Sequence, residues 1–151
     1  NSKINLSIYY PSNNEVNTLK LLSLIGKKVS TSLPVIDNKG SMNFYKWSNL
    51  DILCVNKYGM LEPAIKSNPI VPDISLVPLL VFDKEKNRLG YGKGFYDKFL
   101  NKYLKLNKKI ITVGVAFSFQ KYNNLPTDSL DVKLNYILTE KGIKKLWTYL
   151  F

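Results

Sequence analysis

Apolar and polar positions alternate from Ile4 to Tyr9, the period of two that marks a half-buried strand. Pro11-Ser12-Asn13-Asn14 breaks that pattern as a turn, with Asn14 placed to cap a following helix. A helix is predicted from Glu15 to Leu24, because Val16, Leu19, Leu22 and Ile25 recur every three residues before Gly26 stops it. Val29 to Ile36 reads as a second strand, and Asp37-Asn38-Lys39-Gly40 as a hairpin turn into Met42 to Trp47. The stretch from Lys57 to Pro72 is irregular, punctuated by Gly59, Pro63, Pro69 and Pro72. Ser75 to Phe82 is nearly all apolar, as in a strand covered on both faces, although Pro78 points to an edge or a bulge. A Lys/Asn-rich turn and a glycine loop then lead into an amphipathic helix from Phe95 to Leu106. Ile110 to Phe117 is another buried strand, Asn135 to Thr139 a last one, and Lys141 to Leu150 a closing helix. Buried strands alternating with helices predict an α/β fold whose sheet is mostly parallel and flanked by helices. With 151 residues and no internal repeat, one domain over 1–151 is expected.

Composition narrows the chemistry. The chain has no histidine, one cysteine (Cys54) and one arginine (Arg88) beside 21 lysines. Ser-His-Asp triads, Cys-His pairs, imidazole bases and zinc helices are therefore excluded. A lone thiol makes neither an internal disulfide nor a redox pair, and it fits a reducing cytoplasm. Carboxylates, lysines, tyrosines, backbone amides and a hard, oxygen-ligated cation remain. No apolar run approaches the roughly 18 residues of a spanning helix, so no membrane partner is expected. The formal charge of +11 predicts anionic partners in general. Much of it reflects abundant lysine and asparagine (21 and 16), the mark of a coding sequence drifting toward A and T. Its distribution says more, because nine positive and three negative residues crowd between Asp83 and Lys109.

Inside that basic stretch, Arg88-Leu89-Gly90-Tyr91-Gly92-Lys93-Gly94-Phe95-Tyr96-Asp97 lies between a buried strand and a helix. Glycines admit a phosphate close to the backbone, and a helix N-terminus offers free N–H groups with partial positive charge. Arg88 and Lys93 add fixed charge, so the loop reads as a phosphate cradle. It is not a Walker A loop, since Gly94 follows Lys93 where Ser or Thr is needed. Nor is it a dinucleotide fingerprint, because Phe95 stands at the third glycine position. A guanidinium fork at Arg88 can bind two oxygens at once, which a lysine cannot reproduce. Asp97 opens the helix and is a candidate magnesium ligand, with Asp131 or Asp128 as its partner.

Positions 77–100, VPLLVFDKEKNRLGYGKGFYDKFL, closely resemble the signature of 5-formyltetrahydrofolate cyclo-ligases, also called methenyltetrahydrofolate synthetases. The resemblance continues through Tyr10-Pro11 with Glu15-Val16-Asn17-Thr18, Leu33-Pro34-Val35, Met42-x-Phe44 and Gly59-x-x-Glu62-Pro63. Gly114 to Gln120, Leu125-Pro126, Asp131 and Thr139-Glu140 complete it in order, so nearly the whole chain is covered. It implies a compact Rossmann-like sheet and conversion of 5-formyltetrahydrofolate to 5,10-methenyltetrahydrofolate, with Mg-ATP turned into ADP and phosphate. The formyl oxygen would attack the γ-phosphate to give an iminium phosphate, and folate N10 would then close the ring.

By the same resemblance, Arg88, Leu89, Gly90, Tyr91, Gly92, Lys93, Gly94, Phe95 and Tyr96 would line ATP, with Arg88 and Lys93 neutralising the transferred group. Glu15, Met42, Phe44, Tyr91 and Phe95 would border the folate, and Asp97 and Asp131 would hold Mg²⁺. The family's N-terminal helix, whose basic residues reach the ATP phosphates, lies upstream of the first residue here. A cytoplasmic monomer acting on ATP and 5-formyltetrahydrofolate, with no specific nucleic acid, is the resulting expectation. The alternatives are a family member that binds folate or nucleotide without turnover, and a basic module that stacks single strands on its 10 tyrosines and 7 phenylalanines.

Overall fold

The computed structural model describes residues 3–12, 14–64 and 67–144. Strands β1 (Ile4–Ser7), β2 (Val29–Ile36) and β3 (Met42–Lys46) open the fold. The Asp37 carboxylate accepts the N–H groups of Lys39 and Ser41, which closes the β2–β3 hairpin turn. A small hairpin follows, β4 (Leu53–Val55) with β5 (Leu61–Pro63). Next come β6 (Ile74–Pro78) and a two-stranded ribbon of β7 (Val81–Phe82) and β8 (Arg88–Leu89). Helix α1 (Phe95–Lys105), β9 (Ile111–Val115), β10 (Tyr136–Thr139) and β11 (Gly142–Lys144) follow, and two short 3-10 turns, Thr18–Ser23 and Ser118–Gln120, lie in the connections.

Seven strands form one sheet in the order β11-β10-β9-β6-β1-β2-β3. The five inner strands run parallel, and β3 and β11 are antiparallel edges. Adjacent residues on the inner strands join different apolar clusters, because successive side chains point to opposite faces. Leu76 packs with Ile8, Tyr9, Leu33, Trp47 and Val115, while Val77 packs with Leu79, Phe82, Ala116, Leu134 and Ile137. Both faces are thus covered, which explains why β6 and β9 read as continuous apolar runs. A third cluster, Met42, Phe44, Phe99 and Leu100, fastens α1 to the β3 edge. Ser7 and Ser75 stand opposite each other on β1 and β6, and their buried hydroxyls satisfy one another at 2.8 Å.

The fold is the expected α/β architecture with a mostly parallel sheet, and several boundaries differ from the sequence reading. The predicted helix from Glu15 to Leu24 is a 3-10 turn over Thr18–Ser23, capped by Asn17 and not by Asn14. Apolar residues spaced every three positions eclipse in a 3-10 turn, so the periodicity was that of the tighter helix. The predicted strand from Ser75 to Phe82 is two strands, broken after Pro78, whose missing N–H cannot continue a central ladder. Part of the irregular stretch from Lys57 to Pro72 forms β5. Gly142–Lys144 pairs with β10 as an antiparallel strand where the closing helix was expected, and positions 145–150 of that helix lie outside the described residues.

Sheet order also locates a topological switch point. From β1 the chain moves outward to β2 and β3, then returns to the other side of β1 with β6 and continues to β9 and β10. The order therefore reverses between β1 and β6, and ligands of open α/β sheets collect beyond the carboxyl ends of strands at such a point. The segment from Tyr9 to Glu15 leaves the carboxyl end of β1, and the chain toward the glycine loop leaves that of β6.

Candidate functional site

The glycine loop hangs from the β7–β8 ribbon and ends at the start of α1. Gly92 and Gly94 adopt positive φ (80° and 65°), a left-handed backbone conformation that favours glycine at both. Gly94 occupies the N-cap of α1 with no side-chain cap, which leaves first-turn N–H groups available.

Arg88 lies almost wholly inside, its side chain 7% exposed, and its Nη2 donates to Asp97 Oδ2 at 2.8 Å. The guanidinium carbon sits 5.8 Å from the Tyr96 ring centroid. Three buried side-chain polar atoms lack a hydrogen-bond partner among the described residues: Ser32 Oγ, Arg88 Nε and the Tyr96 hydroxyl. Two of the three belong to neighbouring side chains of this loop. A buried donor without a partner costs free energy on the order of 1–3 kcal/mol, which a bound acceptor recovers. Lys93 is exposed and rests 5.8 Å from the Tyr58 ring centroid.

Glu15 comes to the same place from the other side of the switch point. Its Oε2 accepts the Ser12 N–H at 2.7 Å, and the hydroxyls of Ser12 and Tyr91 are 3.3 Å apart. The Tyr9 hydroxyl donates to Val16 O at 2.9 Å. Burial pushes the Tyr9 phenol up, and the Glu15 carboxylate and Tyr91 push it further. Burial likewise raises the Tyr96 phenol, with Glu15 adding to the rise and the Arg88 guanidinium opposing it. Both tyrosines are therefore neutral hydrogen-bonding groups across the working pH range of a protein.

Other assigned residues sit deeper. Phe44 is fully buried, with ring contacts to Phe99 at 4.9 Å and Tyr96 at 6.2 Å, and Met42 belongs to the same cluster. In this conformation they back the Tyr96 ring and do not form an open surface. Phe95 is half-buried and packs 5.6 Å from Tyr58, at the tip of the β4–β5 hairpin. Tyr91 and Leu89 are exposed.

The two aspartates assigned to the metal approach through the connection between β9 and β10. Val132 donates its N–H to Asp97 Oδ1 at 3.1 Å, which brings the backbone of neighbouring Asp131 beside Asp97. Asp131 Oδ2 accepts from the Asp128 N–H at 2.9 Å, so Asp128 shapes the turn that carries Asp131. No group of three or more His, Cys, Asp and Glu residues able to hold a metal occurs among the described residues. Magnesium that arrives with phosphate ligands of its own needs only one or two protein carboxylates, and here both Asp97 oxygens already accept hydrogen bonds, from Val132 and Arg88.

Sequence reasoning overlooked Tyr9, Tyr58 and the Val132 amide. Tyr58 stands beside the quoted Gly59 motif, but only folding brings the hairpin against Phe95 and Lys93. A backbone donor such as the Val132 N–H carries no residue-type signal at all.

A sequence model described as the 5-formyltetrahydrofolate cyclo-ligase family matches residues 1–140. The 5-formyltetrahydrofolate cyclo-ligase of Haemophilus influenzae is 36% identical over 141 residues, covering 89% of this chain and 74% of that protein. The enzyme of that name from Mycoplasma genitalium is 33% identical over 138 residues, covering 89% and 71%. Among solved structures, the 5,10-methenyltetrahydrofolate synthetase of Aquifex aeolicus superposes with a TM-score of 0.76 at 32% identity, covering 97% of this chain and 73% of that one. A 5,10-methenyltetrahydrofolate synthetase from Mycoplasma pneumoniae gives 0.64 at 26% identity, covering 88% and 71%.

Proposed function

The chain belongs to the 5-formyltetrahydrofolate cyclo-ligase family and is an enzyme of that kind, and from that premise we propose that it uses Mg-ATP to close 5-formyltetrahydrofolate into 5,10-methenyltetrahydrofolate. The formyl oxygen attacks the γ-phosphorus, ADP leaves, and the formyl carbon becomes an iminium phosphate. Folate N10 then bonds to that carbon and releases its proton, and the former formyl oxygen departs in phosphate. The substrates supply every reacting atom, so no histidine or cysteine is needed, and catalysis consists of positioning and charge stabilisation.

The observation that carries this reading is the pair of unpartnered buried donors, Arg88 Nε and the Tyr96 hydroxyl, beside an uncapped helix N-terminus. Arg88 keeps Nη2 on Asp97 and offers Nε to a phosphoryl oxygen. Lys93 adds a second charge from the exposed side of the loop, and residues Leu89 to Phe95 follow the phosphate chain. Asp97 and Asp131 hold magnesium, which neutralises phosphate charge when it is bound. Glu15, with Tyr91 and Phe95, borders the folate, while Met42 and Phe44 support that wall from behind Tyr96. The enzyme works as a cytoplasmic monomer.

The test is direct. Protein, Mg-ATP and 5-formyltetrahydrofolate are mixed, and methenyltetrahydrofolate is followed by its near-ultraviolet absorbance with ADP measured in parallel. Equal amounts of both products support the proposal. Product without ADP would remove ATP from the mechanism, and folate binding without either product would leave a non-catalytic family member.

A further inference from the structure

Asp83 is an acid that the site assignment leaves unused, and it is only 3% exposed. Its carboxylate is satisfied by four N–H donors from two separate parts of the chain. Oδ1 accepts the backbone N–H groups of Glu85 and Asn87 at 2.9 and 3.0 Å. Oδ2 accepts Asn87 Nδ2 at 2.8 Å and the Leu125 N–H at 3.3 Å. The first three bonds shape the turn between β7 and β8, the ribbon whose last strand begins with Arg88. The fourth reaches the connection between β9 and β10, which carries Asp128, Asp131 and Val132.

The shaped turn grips that connection elsewhere too. Lys86, at φ 64°, presents its carbonyl to the Leu134 N–H at 3.1 Å and its Nζ to Asn135 O at 2.9 Å. Phe82 O accepts the Tyr122 N–H at 2.8 Å. The opposite side of the connection meets α1, where Val132 bonds Asp97 and the Asn101 side chain bonds Leu130 O at 2.7 Å. The segment bearing Asp131 is thus suspended between the Asp83 turn and the Arg88–Asp97 pair.

We propose that Asp83 is a positioning residue: its buried carboxylate sets the distance between Arg88 and the Asp131 segment, and so the affinity of the site for magnesium. This rests on the reading of Asp97 and Asp131 as the magnesium ligands. Hydrogen bonds from Asn87, Leu125 and Glu85 outweigh burial and hold this carboxyl below its ordinary range, so it stays an anion that only accepts.

Two readouts on three variants test it: amide hydrogen exchange of the ligand-free protein, and the Mg²⁺ concentration that half-saturates cyclisation. Asp83→Asn should speed exchange at Leu125 and Val132 and raise the half-saturating Mg²⁺, each by roughly tenfold, as loss of a hydrogen bond to a charged acceptor predicts. KM for the folate should change by less than about twofold, since no folate contact is touched. Asn87→Ala keeps the Leu125 bond and should leave the Mg²⁺ value near that of the parent. The exchanged pair Asp83→Asn with Asn87→Asp rebuilds the turn but sets an amide donor toward the Leu125 N–H. It should recover melting temperature while exchange at Leu125 and the Mg²⁺ requirement stay raised, and it carries the test alone if the single variant does not fold. Recovery of the Mg²⁺ value together with melting temperature would overturn the proposal, as would unchanged exchange at Leu125 and Val132. If the parent protein makes no product, the reading of its function fails, while the exchange comparison still decides whether Asp83 holds the segment.

Discussion

Replacing Arg88 by lysine separates charge from geometry at the centre of the site. The guanidinium uses Nη2 on Asp97 at 2.8 Å and has a buried Nε left over, so one side chain can serve two acceptors at different angles. A lysine ammonium keeps the charge but is a single point on a flexible stem. It can stay with Asp97 or move to the phosphoryl group, and whichever it leaves loses a charge-assisted hydrogen bond worth about 1.5–3 kcal/mol. If Asp97 keeps it, the loss falls on the transition state, where a missing donor of this kind costs about 10²–10³ in kcat. If the phosphate takes it, the cost appears in the folded protein, at about 2–4 °C of melting temperature per kcal/mol for a chain of this size. The assay pairs initial rates of methenyltetrahydrofolate formation with thermal unfolding of the same preparation. Arg88→Lys is expected to lower kcat by about a hundredfold or more while the melting temperature falls by only a few degrees. A variant that retains kcat within about threefold, at unchanged stability, would refute the two-acceptor argument for Arg88.

Other consequences follow from the same contacts. Asp97→Asn weakens the bond to Arg88 and removes a hard anionic ligand, so activity should need roughly tenfold more Mg²⁺ or be lost, as a titration of rate against Mg²⁺ would show. Asp131→Asn, on the exposed turn, should raise the same requirement with little change in melting temperature. Phe44→Ala empties a fully buried site against Phe99 and Tyr96 and should cost about 3–5 kcal/mol in urea unfolding. The same variant should raise KM for the folate less than it lowers stability, because Phe44 acts through Tyr96. Asp83 has a folded-state pKa below the ordinary 3.8, so its contribution is complete above that value and fades as pH falls through the folded-state pKa. Urea unfolding at descending acidic pH should therefore show a loss of stability that is smaller in Asp83→Asn.

Local patterns told the most where one neighbourhood decides the structure. Val29–Ile36 and the turn at Asp37 were legible because alternation and an Asx turn are properties of a few adjacent residues. Helix α1 was legible because its stripe of Phe95, Phe99 and Leu100 meets a single apolar cluster built around Met42 and Phe44 of β3. The stripe around Leu19 and Leu22 was read with the right faces and the wrong helix, since a short segment fits either period. Gly142–Lys144 falls inside the predicted closing helix, whereas its pairing with β10 is a contact that periodicity does not report.

The sequence by itself determined the chemical repertoire, the α/β class and the position of the glycine loop, because residue types and short periods are local facts. It also carried the family, through motifs spread along nearly the whole chain. Only tertiary structure decided which distant segments meet. The strand order sets the reversal between β1 and β6, and that reversal brings Glu15 and Tyr9 to the Arg88 loop. Chain folding likewise pairs Arg88 with Asp97 and suspends the Asp131 segment from Asp83. These are hydrogen bonds between residues 9 to 42 positions apart, two of them from backbone N–H groups that every residue type but proline supplies. Their partners are chosen by sheet register and loop length, which act through space and leave no mark on any single stretch of sequence.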